Sequence, residues 1–318
     1  MKVETISTGT ELLRGRNVDT NAAWLARELL KAGLEVAHHQ TVDDDLGRLV
    51  DALKLAASRS DLVILTGGLG PTEDDYTRPA VEEALHRPLA FRSAIWKGIQ
   101  ARFRKAGVKM AAINRRQAFV PKGALSLPNA SGTAPGFFLR EGGVAFVAMP
   151  GPPREMQPMF LGHVLPRIRA RADFAVWTGN SYGLPEGSVD EIVNAIIGRR
   201  ATYGLTARGG RINIFIRTEG PRRSKTLRDL SRRVVAALGD RYMDAELHEV
   251  VARRLIETGT TLAVAESCTG GLIAHLLTGV PGISAALLEA SVTYSNASKV
   301  ARLGVPASLI ERHCSVSG

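Results

Sequence analysis

The chain has 318 residues, of which 45% are hydrophobic and 23% charged, a balance typical of a globular protein with room for two or three domains. The net charge of +10 makes a polyanion a candidate partner, but 5% aromatic residues and the absence of finger or RNP-like motifs argue against a dedicated nucleic-acid binder. No apolar run reaches the length of a membrane span, so we expect no membrane partner.

Residues 1–166 alternate short apolar strands with helical patterns, which predicts a three-layer α/β domain with a largely parallel sheet. In open sheets of this kind the ligand lies beyond the carboxyl ends of the strands. Turns at Gly9–Glu11, Gly67–Asp75 and Pro150–Glu155 follow such ends, so we expect them to converge on one crevice. The predicted strands and helices are, in order, Val3–Thr8, Thr20–Ala32, Leu46–Ser58, Leu62–Leu65, Ala80–Leu85 and Val144–Ala148.

The turn that begins at Thr66 and ends at Arg78 joins an apolar strand to a pair of carboxylates. Its glycines let backbone N–H groups approach an anion closely. Asp74 and Asp75 are hard oxygen ligands suited to a divalent ion that would bridge to the same phosphates. The turn has neither the Gly-Lys-Ser/Thr ending of a Walker A loop nor the third glycine of a Rossmann fingerprint. It therefore predicts a site that orients and activates a phosphoanhydride.

An alternative interpretation is purely structural. Gly67, Gly68 and Gly70 would only shape a strand-to-helix turn, and the two acids would be a solvated first helical turn that interacts favourably with the helix dipole. The functional interpretation is favoured because two acids follow the glycines within the same turn.

Residues 167–244 predict a small α+β module. Alternating runs at Thr202–Ala207 and Arg211–Arg217 flank a Gly209–Gly210 pair, a pattern typical of a β-hairpin. Helical patterns precede and follow the hairpin, at Ser188–Arg199 and Ser224–Leu238. No residue here indicates chemistry, so a spacer or dimerisation element is the favoured interpretation.

Residues 245–318 begin a third, partial α/β domain, with a helix at Leu247–Glu257, a strand at Leu262–Ala265 and a helix at Leu272–Leu277. Ser267 follows the strand, where helix N–H donors can stabilise an oxyanion. Downstream, Tyr294 and Lys299 offer a phenol and an amine, and such an amine can act as base toward a serine. Alternatively, Ser267 caps the helix and Lys299 is a solvated helix residue.

Several motifs, and their order along the chain, resemble those of the competence/damage-inducible protein A (CinA) family. The resemblance extends over essentially the whole chain. In the first 166 residues they are Gly9–Leu13, Asn17 with Asp19–Ala22, Thr66–Asp75, Asn114–Ala118, Asn129 with Gly132–Phe137, and Pro150–Met156. Later they are Tyr182–Glu186, Val189–Glu191 and Ala265–Gly271.

The resemblance implies a molybdopterin-binding-like fold for the first domain and hydrolysis of ADP-ribose to AMP and ribose 5-phosphate. It also implies that the third domain is similar to nicotinamide mononucleotide deamidases. There Ser267 would be the nucleophile, and Tyr294 and Lys299 would complete the catalytic set. We expect both domains to act in pyridine-nucleotide metabolism and NAD recycling, with a homodimer as the assembly.

The expected site residues fall into groups by role. Asp74 and Asp75 hold a divalent ion (Mg²⁺, Co²⁺ or Mn²⁺), a monovalent cation such as K⁺ is a further candidate, and Glu11 and Glu155 serve as extra ligands or general bases. The expected substrate-binding residues are Thr10, Asn17, Asn21 and Asn129 for sugar or base, Gly67, Gly68 and Gly70 for the pyrophosphate, Thr66 and Thr72 in the same turn, and Thr269, Gly270 and Gly271 in the third domain.

In the resembling family the third domain continues for about as many residues again as lie between 245 and 318. The missing part would carry further strands and a glycine-rich substrate loop. We therefore expect the deamidase site of this chain to be incomplete, either because the sequence is a fragment or because the second activity is lost.

Two other classes of function stay open. The first domain would be a pterin- or nucleotide-binding module without turnover, or the chain would be a DNA-uptake or recombination accessory. Against specific nucleic-acid binding, the basic residues form dispersed clusters rather than one arm, at Arg102–Lys105, Arg167–Arg171 and Arg222–Lys225.

Cysteine usage and the N-terminus predict the compartment. Cys268 and Cys314 form no CxxC motif and have no histidine at zinc-ligand spacing, which disfavours a disulfide framework and a structural zinc site. The segment that starts at Val3 reads as a strand rather than a signal peptide. We expect a reducing, cytoplasmic location.

Overall fold

The computed structural model describes residues 1–168 and 174–313. Of the features named above, Cys314 and the part of the arginine cluster at 169–171 lie outside the described residues. The chain divides into two compact units: Met1–Val176 with Glu219–Ser224, and Trp177–Thr218 with the residues from Lys225 onward. The predicted domain boundaries near residues 166 and 244 stay predictions.

A six-stranded mixed sheet forms the centre of the first unit. The strands of this unit are β1 (Val3–Thr8), β2 (Val36–Val42), β3 (Leu62–Thr66), β4 (Leu89–Phe91), β5 (Phe119–Pro121), β6 (Leu125–Leu127), β7 (Gly136–Glu141) and β8 (Val144–Met149). The sheet order is β2-β1-β3-β8-β7-β6, in which β2, β1, β3 and β8 run parallel and the β7 and β6 pairings are antiparallel. The short strands β4 and β5 pair separately.

Helices cover both faces of this sheet. They are α1 (Thr10–Leu13), α2 (Thr20–Lys31), α3 (Leu46–Arg59), α4 (Thr77–Leu85), α5 (Ser93–Lys105), α6 (Pro153–Met159) and α7 (Leu165–Ile168), with a 3₁₀ turn at Ala112–Ala118 and a π-helical turn at Phe160–Val164. In β3, Leu62 and Ile64 pack into the core with α2 and α6, whereas Val63 and Leu65 pack into the core with α3 and α4. Successive strand residues point to opposite faces, so the predicted α/β class with a largely parallel sheet is confirmed.

The sequence patterns did not mark β2, and the structure gives the reason. β2 lies at the edge of the sheet, and residues 37–39 in its middle are exposed. His38, His39 and Gln40 give it a polar composition without apolar alternation. Helix α4 also starts at Thr77 rather than the predicted Ala80, because the Thr77 N–H and hydroxyl bond to the carbonyl groups of Gly68 and Gly67.

A four-stranded sheet and two helices come next along the chain, and most of their residues belong to the second unit. They are β9 (Phe174–Tyr182), α8 (Glu186–Ile197), β10 (Thr202–Arg208), β11 (Arg211–Glu219), α9 (Arg223–Leu238) and β12 (Tyr242–Met243), with a 3₁₀ turn at Gly239–Arg241 and sheet order β10-β11-β9-β12. The β10–β11 hairpin turns at Gly209 and Gly210, whose φ values of 57° and 75° suit a type I′ turn. The predicted hairpin is therefore present, while β9 is an addition to the predicted elements.

The remaining elements build a small α/β layer. They are α10 (Leu247–Thr258), β13 (Leu262–Glu266), α11 (Leu272–Thr278), β14 (Leu287–Val292), α12 (Asn296–Leu303) and α13 (Ala307–His313), with a 3₁₀ turn at Ile283–Ala285. β13 and β14 pair in parallel, and Ala252, Leu277, Ile283 and Ala286 form a small buried cluster beside them. Within residues 1–168 and 174–313, every helix is too short or too polar to cross a membrane.

Candidate active site

The three predicted turns of the first unit line one cavity of about 420 Å³. Thr8 ends β1, Thr66 ends β3 and Met149 ends β8, so the residues that follow them meet at the carboxyl edge of the sheet. The predicted site residues that line the cavity are Glu11, Gly67, Gly68, Gly70, Thr72, Asp74, Asp75 and Glu155. The fold therefore brings together the glycine turn and all four predicted carboxylates.

Gly67 and Gly68 have φ values of 103° and 60°, a backbone conformation that favours glycine. A Cβ at Gly67 would press on the Thr8 carbonyl oxygen, and one at Gly68 on the Thr77 hydroxyl. The Gly67 N–H already donates to the Met149 carbonyl at 3.0 Å. Gly68 and Leu69 line the cavity, and among the described residues their N–H groups have no acceptor, so both donors are free to meet an anion.

The two predicted metal ligands have different surroundings. Asp75 is half-buried, and its carboxylate accepts from the Gly70 and Thr72 N–H groups, each at 2.7 Å, and from the Thr72 hydroxyl. Asp74 is exposed, and its carboxylate makes no hydrogen bond within the described parts of the chain. Asp75 therefore closes the loop on itself, whereas Asp74 presents its oxygens to the cavity.

Glu155 is oriented by a side-chain amide that was itself predicted to be a site residue, that of Asn129. Asn129 donates to it at 2.8 Å and also to the Ala134 carbonyl, and the Asn129 side-chain oxygen accepts from the Ser131 and Gly132 N–H groups. Asn129 borders a separate cavity of about 410 Å³ rather than the main one. The structure thus places Asn129 behind Glu155, as its positioning partner.

Asp44 is a fifth carboxylate of the main cavity, and the sequence analysis missed it. It accepts from the Thr10 N–H at 2.8 Å and from the Thr8 hydroxyl at 3.3 Å, while its own N–H donates to the Thr10 hydroxyl. Thr10, predicted to bind substrate, is therefore bonded to Asp44. Asp44 follows the carboxyl end of β2, so assigning that strand would have indicated it. Gln117 and Thr133 also line the cavity and were missed.

Asn17, Asn21 and Thr66 line a neighbouring cavity of about 500 Å³, which shares Thr8, Glu11, Gly151 and Pro152 with the main one. Asn21 donates to the Gly151 carbonyl at 2.7 Å. Asp19, also in this cavity, lies 3.3 Å from His39. Burial raises the pKa of Asp19, but hydrogen bonds from His39, Ser7 and the Ala22 N–H outweigh that effect and lower its pKa to about 2. A negative charge is thus fixed beside the two asparagines.

The main cavity is acidic although the chain is basic. Its described lining contains the five carboxylates of Glu11, Asp44, Asp74, Asp75 and Glu155 and no lysine, arginine or histidine. No three acidic, histidine or cysteine residues of the described chain stand close enough together to hold an ion by themselves. Mg²⁺ is commonly held by one or two carboxylates together with substrate phosphates, and the exposed oxygens of Asp74 fit that mode of binding.

The second unit contains the other predicted site. Lys299 donates to the Ser267 hydroxyl at 3.1 Å and to the carbonyl groups of Thr293 and Tyr294 at 2.7 and 3.0 Å. The predicted pair of Ser267 and Lys299 is therefore in contact. Tyr294 is 75% exposed, and among the described residues its phenol has no hydrogen-bond partner.

Glu266 organises the turn after β13, a role that the sequence analysis missed. Its buried carboxylate accepts from the N–H groups of Gly271, Ile273 and Ala274 at 2.9 to 3.1 Å. Burial raises the pKa of Glu266, but these hydrogen bonds and one from Thr269 prevail and lower it. Gly270 and Gly271 have φ values of 61° and 96°, so the predicted Thr269–Gly271 stretch forms a tight turn around this carboxylate.

Comparisons with known proteins find a family model for each end of the chain. Residues 4–170 match the family model "Probable molybdopterin binding domain", and residues 244–318 match "CinA C-terminal domain". A "Putative competence-damage inducible protein" of Alkaliphilus metalliredigens is 38% identical over 327 residues, which cover 100% of this chain and 80% of the relative. A protein of the same name from Caldanaerobacter subterraneus is 38% identical over 325 residues, with 100% and 79% coverage.

A solved structure of CinA, with unknown function, from Thermoplasma acidophilum is 32% identical to this chain. The match covers 52% of this chain and 98% of that one, with a TM-score of 0.49.

Proposed function

Because the chain belongs to the competence-damage inducible protein (CinA) family, with a molybdopterin-binding-like domain and a CinA C-terminal domain, we propose that it is a hydrolase of pyridine-nucleotide metabolism. Its N-terminal domain would split ADP-ribose into AMP and ribose 5-phosphate. The observation that supports this proposal most is the single cavity in which a glycine turn meets five carboxylates.

The chain's own residues supply binding, orientation and a base. The Gly68 and Leu69 N–H groups hold phosphate oxygens, and Asp75 keeps the turn in the required shape through its bonds to Gly70 and Thr72. Glu155, held in place by Asn129, is the general base that takes a proton from the attacking water. Glu11 is the second candidate for this role, since it lines the same cavity.

Electrostatics makes a cation part of the proposal. A pyrophosphate entering a cavity of five carboxylates meets strong repulsion, and the described lining contains no positive side chain to offset it. Asp74, with Asp75 behind it, is the pair that would hold a divalent ion. When bound, such an ion neutralises phosphate charge and makes the phosphorus more electrophilic.

The test incubates the 318-residue chain with ADP-ribose, with Mg²⁺, Co²⁺, Mn²⁺ or no added divalent ion, and resolves AMP by anion exchange. We expect AMP only with a divalent ion, and at least ~100-fold less with Asp74→Asn because the charge that attracts the ion is lost. Asp51→Asn, an exposed acid on α3, is the matched control and should retain full activity. No AMP under any condition would replace the proposal with a nucleotide-binding module that lacks turnover.

We propose that the second site, where complete, deamidates nicotinamide mononucleotide. The Ser267 oxygen attacks the carboxamide carbon, the neutral amine of Lys299 accepts the hydroxyl proton and returns it to the leaving nitrogen, and ammonia departs from an acyl-enzyme. Water then releases the carboxylic acid product and restores the serine. Ser267→Ala should abolish ammonia release, while Ser291→Ala, which alters a serine that is half-buried like Ser267, should not. Ammonia release that survives Ser267→Ala would rule out this assignment.

The remaining parts of the proposal concern the setting of both reactions. The substrates are small nucleotides, the assembly is a homodimer, and the location is cytoplasmic, with K⁺ as a candidate second cation. Size-exclusion chromatography with light scattering tests the dimer directly. A monomer at working concentrations would remove that part and leave the two reactions untouched.

A further inference from the structure

Arg78 is an arginine at the start of α4 that is almost completely buried, with 3% of its surface exposed. It lies behind the glycine turn, where its Nη1 group donates to the Gly70 carbonyl at 3.4 Å. No carboxylate of the described chain comes within ion-pair distance of it. A guanidinium stays charged in proteins, so a positive charge is held inside the domain without a contacting counter-ion.

The unpaired atoms of Arg78 are those that recognise oxyanions best. Among the described residues, its Nε and Nη2 groups are buried and have no hydrogen-bond partner. These two groups form one edge of the guanidinium, and their parallel N–H bonds match the two oxygens of a carboxylate or phosphate. Leaving such donors unpaired away from water is costly. The geometry is therefore that of a half-formed bidentate contact.

Arg78 lines a cavity of about 350 Å³ that is distinct from the main one. A second cation, Arg116, lines the same cavity and donates to the Thr72 carbonyl at 3.4 Å. Glu73 is an exposed acid at the cavity, and Asp75 is already bonded to the loop N–H groups. The rest of the lining is largely apolar: Tyr76, Pro79, Leu89 and Phe119.

We propose that this cavity is a second binding site, for a small oxyanion, phosphate or carboxylate, held by the Nε and Nη2 groups of Arg78 with Arg116 as the outer cation. The apolar wall accommodates whatever carbon skeleton carries the anionic group. Because Gly70, Thr72 and Asp75 border both cavities, the bound anion stabilises the glycine turn from behind. The site does not depend on the reaction proposed for the main cavity.

The test is thermal unfolding of the intact chain, with sodium phosphate or sodium acetate titrated at constant ionic strength. An anion present at about ten times its dissociation constant should raise the Tm of the first unit by roughly 3–6 °C. Arg78→Met should abolish that rise, because the side chain keeps its bulk and loses its donors. Arg78→Lys should also lose most of it, since an ammonium lacks the two parallel donors.

Three comparisons make the result decisive. Arg116→Ala alters an exposed side chain, so the fold should persist while anion affinity falls about tenfold. Arg104→Met, an exposed arginine on α5, should keep the full rise. Asp74→Asn should keep it too, because a phosphate bound at Arg78 does not touch the main cavity.

Whichever of phosphate and acetate raises the Tm identifies the kind of anion that binds. Each result either supports or overturns the proposal. A rise with phosphate or acetate that Arg78→Met removes supports it. If Arg78→Met does not fold, a rise that Arg116→Ala weakens supports it in the same way. An equal rise in the wild type and these variants would place the anion elsewhere and overturn the proposal. The absence of a rise with both anions would show that the Nε and Nη2 groups of Arg78 bind neither anion, and would overturn it as well.

Discussion

The two candidate sites use the same local device in different surroundings. In each, a strand ends in a glycine turn that a carboxylate closes: Asp75 accepts from the turn after β3, and Glu266 accepts from the turn after β13. All five residues of β3 are buried between neighbouring strands. β14, the partner of β13, has four of its six residues exposed. The same turn is therefore held by packing in one site and chiefly by hydrogen bonds in the other.

This contrast locates the source of rigidity in each site. The turn after β3 is tied to β8 through the Gly67 N–H and to α4 through the Thr77 hydroxyl, independently of Asp75. In the second site, the Glu266 side chain accepts three of the hydrogen bonds that join the turn to α11, and backbone bonds from Leu272 to Thr269 and from His275 to Gly271 supply the others among the described residues. We expect backbone substitutions to damage the first site most and the loss of a single carboxylate to damage the second most.

The largest effect should come from two matched glycine substitutions. Gly67 and Gly271 have φ values of 103° and 96°, so alanine is strained at both by about 1–2 kcal/mol. Only at Gly67 does the new Cβ also press on a backbone oxygen, that of Thr8, whereas at Gly271 its nearest neighbour is Val292 at 3.4 Å. Gly67→Ala should therefore cost about 1–3 kcal/mol more. Urea unfolding of each unit measures both losses, and equal losses would contradict the proposed role of packing.

The next largest effect should come from removing the charge of the carboxylate that closes each turn, Glu266 or Asp75. Glu266→Gln replaces an acceptor of three N–H groups with a side chain that carries its own N–H₂ group, so we expect the second unit to melt at a lower temperature at pH 7. Asp75→Asn should lower the melting temperature of the first unit less. Glu257→Gln, an exposed acid on α10, is the control.

The pH dependence of Glu266→Gln follows from the lowered pKa of Glu266. Its contribution is present above the ordinary value of 4.5 and is lost as the pH falls through the lower folded value, because protonation then removes the acceptor. The difference between wild type and variant should therefore shrink in acid. A difference that is unchanged well below pH 4.5 would contradict the ionised carboxylate as its cause.

Sequence patterns within a few residues predicted most of the fold. The features that were not predicted depend on contacts between residues that are distant in sequence. The apolar strands β1, β3 and β8 and the glycine turn follow from patterns within a few residues. Asp44 was missed because the polar composition of β2 hid that strand, and Asp44 lies just after the end of β2 that borders the cavity. The roles of Asn129 and Glu266 were missed for another reason: a carboxylate or amide that holds a turn looks the same in sequence as one that faces a ligand.

The smallest effect should come from the charge of Asp19, which caps α2 and pairs with His39. Its pKa falls from 3.8 to about 2, so the ionised form stabilises the fold above pH 3.8, and this stability is lost as the pH falls toward 2. Asp19→Asn keeps an effective cap and removes the charge, and should cost about 1–2 kcal/mol at neutral pH. Urea unfolding at pH 7 and near pH 2 measures the change, with Asp51→Asn as the control. Because neither Asp19 nor His39 lines the main cavity, the loss should leave AMP formation within about twofold. A larger fall in activity would show that the cavity of Asn17 and Asn21 takes part in the reaction.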